Sequence, residues 1–431
     1  MASDLDAVRA ALQPLDGGAH DYDALLARIG DARFVLIGEA SHGTHDFYAE
    51  RVRLTQRLVA ELGFDAVAIE ADWPDAYRAN RFVRGESDDG DAEEALRGFK
   101  RFPTWMWRNT DVLDFVGWLR ETNDVRDRRS RVAFYGLDLY SLYASIDAVL
   151  AFLERVDRSA AARARARYAC FDHFGRDTSS YAYAAALNLD ASCEREVTQQ
   201  LVEMRARYLE RSPFASEEEL DVEQNARVVK NAESYYRHML HGSMATWNLR
   251  DRHMADTLAN VVQHLDRRLG RPSRVIVWAH NSHVGDARAT EVGRAGELTL
   301  GQLARERYGR DAFLVGMTTY AGTVTAADDW DRPAERKTVR PALSGSFEEL
   351  FHLTGVPRFL LSPVAIHGER LERAIGVVYR PDTERVSHWF PAHLARQFDA
   401  VIHLDHTRAV EPIERVAVRT PEAPETYPFA V

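Results

Sequence analysis

The sequence predicts an α/β protein: a mostly parallel central sheet flanked by helices, with a helical insertion subdomain. Two observations predict it. Apolar runs of strand length over 34–37, 66–69 and 132–135 each end in a glycine or an acid, and a helix-like segment follows each. That alternation marks a parallel sheet built from strand–helix units. From 144 to about 270 the strand signal stops, and apolar residues recur at helical spacing among Arg, Glu and Ala. The expected domains are therefore 1–143 with 271–431 as an α/β core, and 144–270 as a helical insertion forming a wall or lid of a cleft.

The elements follow in order. Residues 1–32 read as a helical lead-in. Phe34, Val35, Leu36 and Ile37 have the length and branching of a buried strand. Gly38 and Gly43 break it, because glycine adopts turn angles closed to other residues. Thr44 is placed to cap a helix over 46–62. The second run ends in Glu70-Ala71-Asp72-Trp73-Pro74, and Pro74 suits the first turn of a new helix. An aromatic block, 102–107, precedes a helix over 110–123. The third strand ends in Gly136-Leu137-Asp138. In the insertion, long helices are expected over 193–211, 217–240 and 247–268, with Pro213 its single proline. Strand 274–279 then leads into His280-Asn281-Ser282-His283. Later strands are expected over 312–316, 359–361, 375–379 and 400–404.

The chain has 431 residues, 45% of them apolar, enough for a full core. Its formal net charge of -11 argues against nucleic acid or an anionic membrane as partner. Cys170 and Cys193 show no metal-site spacing and read as reduced packing residues. The acidic N-terminus lacks the apolar core of a signal peptide, and no apolar run is long enough to cross a bilayer. A soluble cytoplasmic protein acting on a small molecule is expected.

Glu39, His42, Glu70, Asp138, His280 and His283 each lie just past the carboxyl end of a strand. In an open parallel sheet that edge is where ligands bind. Recurrence over four separated strands makes a shared cleft the working hypothesis. A carboxylate and an imidazole placed at that edge can do acid–base chemistry. His42 can be the base, and His280 or His283 the donor. Arg51, seven residues past Thr44 on one helical face, can reach back and offset a carboxylate. Trp105, Trp107, Asp138 and Tyr140 are the expected substrate-binding residues. Ser41 lies outside any G-x-S-x-G elbow and reads as structural.

Gly38-Glu39-Ala40-Ser41-His42-Gly43-Thr44, Arg51, Ile69-Glu70 and Trp278-Ala279-His280-Asn281-Ser282-His283 together resemble the erythromycin esterase family. Segments 103–109, 136–141 and Asn248-Leu249-Arg250-Asp251 are also similar to it. The likeness runs from about 30 to 410. It implies a carboxylic-ester hydrolase that opens a macrolide lactone, an antibiotic-resistance activity, with water activated by His42. It further implies that Glu39, Arg51, Glu70, His280 and His283 fill the other active-site positions, without a cofactor. Two rivals stand beside it. The fold resembles a broader superfamily of metal-dependent proteases, so a divalent metal at Glu39, His42, Glu70, His280 and His283 is one alternative. A non-enzymatic small-molecule or haem binder is the other.

Overall fold

The structure is a computed structural model that describes residues 2–174, 176–187, 192–206, 216–240 and 242–414. Its strands in chain order are β1 (Leu12–Pro14), β2 (Phe34–Ile37), β3 (Ala66–Asp72), β4 (Ala133–Asp138), β5 (Val275–Trp278), β6 (Ala312–Ala326), β7 (Glu335–Val339), β8 (Arg358–Leu361), β9 (Arg370–Arg373), β10 (Trp389–Ala392) and β11 (Ala400–Thr407). Nine of them form one sheet in the order β1-β8-β11-β6-β2-β5-β3-β4, with β7 paired to β6. The run from β11 to β4 is parallel throughout. Strands β1, β8 and β7 add antiparallel edges. β9 and β10 make a separate two-stranded sheet.

Alternation divides the core. Val35 and Ile37 join one buried cluster, Phe34 and Leu36 the other. A strand covered on both faces has no polar side, which is why β2 and β5 read as continuous apolar runs. Register then aligns the strand ends. Ile37 pairs with Trp278 and Val315, Ile69 with Trp278 and Gly136. Glu39, Glu70, Asp138 and His280 follow this row by one or two residues, so they emerge together.

Between β4 and β5 the described residues form helices and turns with no strand, and they carry their own buried cluster, from Leu139 to Met239. Helices span Glu194–Met204, Glu217–His238 and Ser243–Leu269. The end of the expected 193–211 helix and Pro213 lie outside the described residues. No helix among the described residues is long and apolar enough to cross a membrane.

Several local expectations are corrected. Cys170 and Cys193 are not separate thiols but a disulfide, their Cα atoms 5.9 Å apart. Residues 375–379 are not a strand: Ile375 bridges Ser41 and Val378 bridges Ala327 singly, because the segment crosses the strand ends instead of running beside one. Neither Gly38 nor Gly43 has a positive φ. They are glycines because neighbours press on them: a Cβ on Gly43 would lie 1.8 Å from the Thr325 carbonyl oxygen, and one on Gly38 2.1 Å from Asn281 Oδ1. Thr44 holds the N-cap position of the helix His45–Glu61 without a side-chain cap bond. Its hydroxyl is turned to Ser41 Oγ instead.

Candidate active site

Three layers meet at the strand ends. The rear layer is Arg51, fully buried on the helix His45–Glu61 and packed over the rings of Tyr48 and Trp278. Its Nη2 donates to Glu39 Oε2 at 2.6 Å. The other Glu39 oxygen lies 3.0 Å from His42 Nδ1. A carboxylate accepts and cannot donate, so Nδ1 carries the hydrogen and Nε2 is left as the basic nitrogen. His42 lines a cavity of about 460 Å³, the size of a small-molecule site. Its turn is held by Tyr48, whose hydroxyl lies 3.0 Å from the His42 carbonyl and 2.9 Å from that of Met106.

The second layer is a charge cluster around Glu70. Arg250, on the helix Ser243–Leu269, donates to Glu70 Oε1 at 2.8 Å and grips both oxygens of Asp138. Burial works against the Glu70 anion, but His283, Arg250 and His42 outweigh it and hold the carboxyl well below its usual range. His283 is sandwiched in turn. Its Nδ1 lies 2.9 Å from Asp251 Oδ2, and its ring stacks on Trp247 at 4.3 Å. Burial pulls its pKa down, yet Asp251 and Glu70 together push it up to about 9. His283 Nε2 is 3.3 Å from Glu70 Oε1 and 3.1 Å from Arg250 Nη1. A protonated Nε2 donates to Glu70, so the Arg250 contact is a close approach of two cations held by carboxylates, not a hydrogen bond.

His280 is the third layer, its ring 4.8 Å from that of His42. Burial, then the nearby His42, push its pKa well down, so it is neutral. The Ser282 backbone N–H lies 3.2 Å from Nδ1 and can only donate. The proton therefore sits on Nε2, which is buried and directed at the Ala40 carbonyl.

The structure thus brings Glu39, His42, Arg51, Glu70, His280 and His283 together. It does not bring the four expected substrate-binding residues to the cavity wall. Trp105 and Trp107 join the core, and the Trp107 indole donates to the Glu70 carbonyl at 3.2 Å. Tyr140 lies beneath the Arg250 and Arg101 guanidiniums. Asp138 is spent on Arg250 and on its own neighbour, the Leu139 N–H. Trp107, Asp138 and Tyr140 are thus held by partners beneath the site. Sequence reasoning missed Trp247, Arg250 and Asp251 as site residues. The signal was present in the Asn248-Leu249-Arg250-Asp251 segment, where two adjacent charges sit in an amphipathic helix and both prove buried.

Among the described residues, no three His, Cys, Asp or Glu are grouped to hold a metal ion. Arg51 occupies one Glu39 oxygen, Arg250 one Glu70 oxygen, and Asp251 the His283 Nδ1. This donor set does not fit a divalent ion.

A buried histidine, backed by a carboxylate and an arginine and opening on a small-molecule cavity at parallel strand ends, defines a hydrolase-type cleft. The chain belongs to the erythromycin esterase family, whose profile matches residues 59–407; it is a hydrolase acting on ester bonds. It is 25% identical over 328 residues to an erythromycin esterase type II of Escherichia coli, covering 72% of this chain and 74% of that one. A mutant of the erythromycin esterase EreC in its open conformation shares the fold at a TM-score of 0.66 and 17% identity, over 90% of this chain and 93% of that one. A succinoglycan biosynthesis protein shares it at 0.76 and 19%, over 95% and 98%.

Proposed function

We propose that this chain hydrolyses a carboxylic ester, with a macrolide lactone as the leading substrate, through water activated at His42 Nε2. The observation that carries the reading is the Arg51–Glu39–His42 chain of contacts, 2.6 and 3.0 Å long, which ends at a basic nitrogen on the cavity wall. Water gives its proton to Nε2 as its oxygen attacks the ester carbonyl. Glu39 fixes the ring and balances the imidazolium that forms. Protonated His283 and Arg250, which also line the cavity, stabilise the oxyanion electrostatically. As the tetrahedral intermediate collapses, the C–O bond breaks and His42 returns the proton to the leaving alkoxide. The relatives' name, erythromycin esterase, supports the macrolide substrate; a role in antibiotic resistance would follow from that substrate, and a cytoplasmic location is proposed with it. The same reading takes residues 144–270 as one wall of the cleft, supported by Trp247 and Arg250.

The test is a single turnover in ¹⁸O-water. Label should enter the product acid and never the protein, and Ser41→Ala should keep most of its activity. An acyl adduct trapped on Ser41 would replace direct water attack with covalent catalysis.

A further inference from the structure

The cavity has one acid that this mechanism does not use. Glu297 sits on its wall, in the loop between the short helix Glu291–Arg294 and the helix Leu300–Tyr308. The backbone on either side is clamped. Asn248 Nδ2 donates to the Gly296 carbonyl at 3.0 Å, and its Oδ1 accepts from the Leu298 N–H at 2.7 Å. Trp247 Nε1 donates to the Leu298 carbonyl at 2.7 Å, and the Glu297 N–H donates to Val292 O at 3.0 Å. Gly296, at φ 105°, takes a backbone angle that side chains rarely adopt. The two residues that clamp the loop are neighbours of Arg250 on the helix that supplies the charge cluster. Yet the Glu297 carboxyl takes no hydrogen bond or ion pair from any described residue. A carboxyl on a loop clamped by side-chain hydrogen bonds, half-buried on the cavity wall and without a partner among the described residues, is free to meet a ligand.

The charges facing it settle the sign. Asp251 and His283 lie behind it, Glu291 shares its wall, and Arg380 across the cavity is paired at 3.3 Å with Asp329. In the floor, Arg51, Arg250 and protonated His283 stand against Glu39, Glu70, Asp138 and Asp251. His388, also on the cavity lining, is kept neutral by burial, so no cation among the described lining residues is left over to neutralise Glu297. We propose that Glu297 is a specificity-determining residue that binds a cationic amine carried by the ester substrate. The apolar body of that substrate packs on the opposite wall, made by Trp330, Val377, Val378, Val386, Trp389 and Phe390. Burial, reinforced by the Asp251 carboxylate and opposed by His283, raises Glu297 to about 7. The residue is therefore half-ionised near neutrality, and an ammonium group would complete the ionisation.

The substrate being an ester rests on the reading above, but the test does not use turnover. Benzyltrimethylammonium, whose charge is fixed, is titrated calorimetrically into the full chain and into Glu297→Gln. The measurements bracket the Glu297 midpoint of about 7 by one pH unit on each side. Across that window the ionised fraction rises about tenfold, so wild-type affinity should rise by about the same factor. Near the midpoint, binding should release a proton, seen as a heat that varies with the ionisation enthalpy of the buffer. Glu297→Gln should bind weakly, without either pH dependence or proton release. Equal binding by both proteins, or no binding by the wild type, would overturn the assignment. Either result leaves water attack at His42 standing, and a failed ¹⁸O experiment leaves the amine site standing.

Discussion

The floor and the far wall of the cavity are built on opposite terms. On the floor every ionic group has a partner, and the side chains hang from the ends of four aligned parallel strands and from two long helices, His45–Glu61 and Ser243–Leu269. The wall comes mainly from 374–397, a succession of single bridges, two four-residue helices (Glu384–Ser387 and Leu394–Gln397) and strand β10, which pairs with β9 in a two-stranded ribbon. Its surface is apolar, and Val386 is 81% exposed at the mouth. An exposed apolar rim on a polar floor marks a binding surface. The contrast teaches where each task can live. Proton transfer fails if the groups shift by an ångström, so it sits where register and charge pairing fix them. Substrate shape is read by apolar contact, which tolerates substitution, so it can sit on irregular chain.

If the floor does the chemistry, His42→Asn should lower kcat by about two to four orders of magnitude, the usual worth of a general base. Its thermal midpoint should stay close to that of the parent, since Asn fills most of the same space. Near-normal turnover would break the comparison at its main point. Arg250→Met should be nearly as severe, but in stability. It leaves Glu70 and Asp138 buried without their cation, and losing one partner of a buried ionic cluster costs about 3–5 kcal/mol. A urea midpoint unchanged by the substitution would show that the cluster is not an electrostatic unit.

A smaller effect should appear with pH. His283 is raised in the folded chain, from an ordinary 6.5 to about 9. The protonated ring therefore contributes stability that is full below pH 6.5 and disappears as pH rises through about 9. The loss is on the order of 3 kcal/mol across that interval. In Asp251→Asn, which removes one of the two acids responsible, the decline should be shallower and come at lower pH. An identical profile would mean that Asp251 does not hold the imidazolium. The wall should give the mildest phenotype. Trp389→Ala should raise KM about tenfold while leaving kcat within a factor of about three, the pattern of lost uniform binding. A fall in kcat without a change in KM would place the wall in the chemistry after all.

Much of the site was legible because it is local. Glu39 and His42 are three residues apart on one turn, His280 and His283 on another, and both turns follow runs whose apolar composition names them as buried strands. The charge of Arg51 and its helical offset from Thr44 were enough to aim it at the same place. Parallel topology follows from the same alternation, and topology puts strand ends side by side. Strands such as β7, with Glu335, Arg336 and Lys337, carry no apolar alternation, so nothing in their pattern announced them. The pairing of Cys170 with Cys193 was equally silent, because a disulfide depends on how two chain segments approach, not on their own composition.

Sequence alone therefore determined the parallel α/β core, the helical character of the described part of 144–270, the family, and the six residues that gather at the strand ends. Each of these is set within a few residues by side-chain period, turn chemistry or motif. Only the tertiary structure decided what those residues touch. Arg250 reaches Glu70 across 180 positions of chain, and Asp251 reaches His283 across 32, both from one 27-residue helix. Trp105, Trp107, Asp138 and Tyr140 look like ligand contacts until packing gives their faces to the core and to Arg250. Glu297 is one acid among many until Asn248 and Trp247 pin its loop at the cavity. Contacts of that range depend on how whole elements dock, and docking is set by the sum of buried area and paired charge over the entire fold.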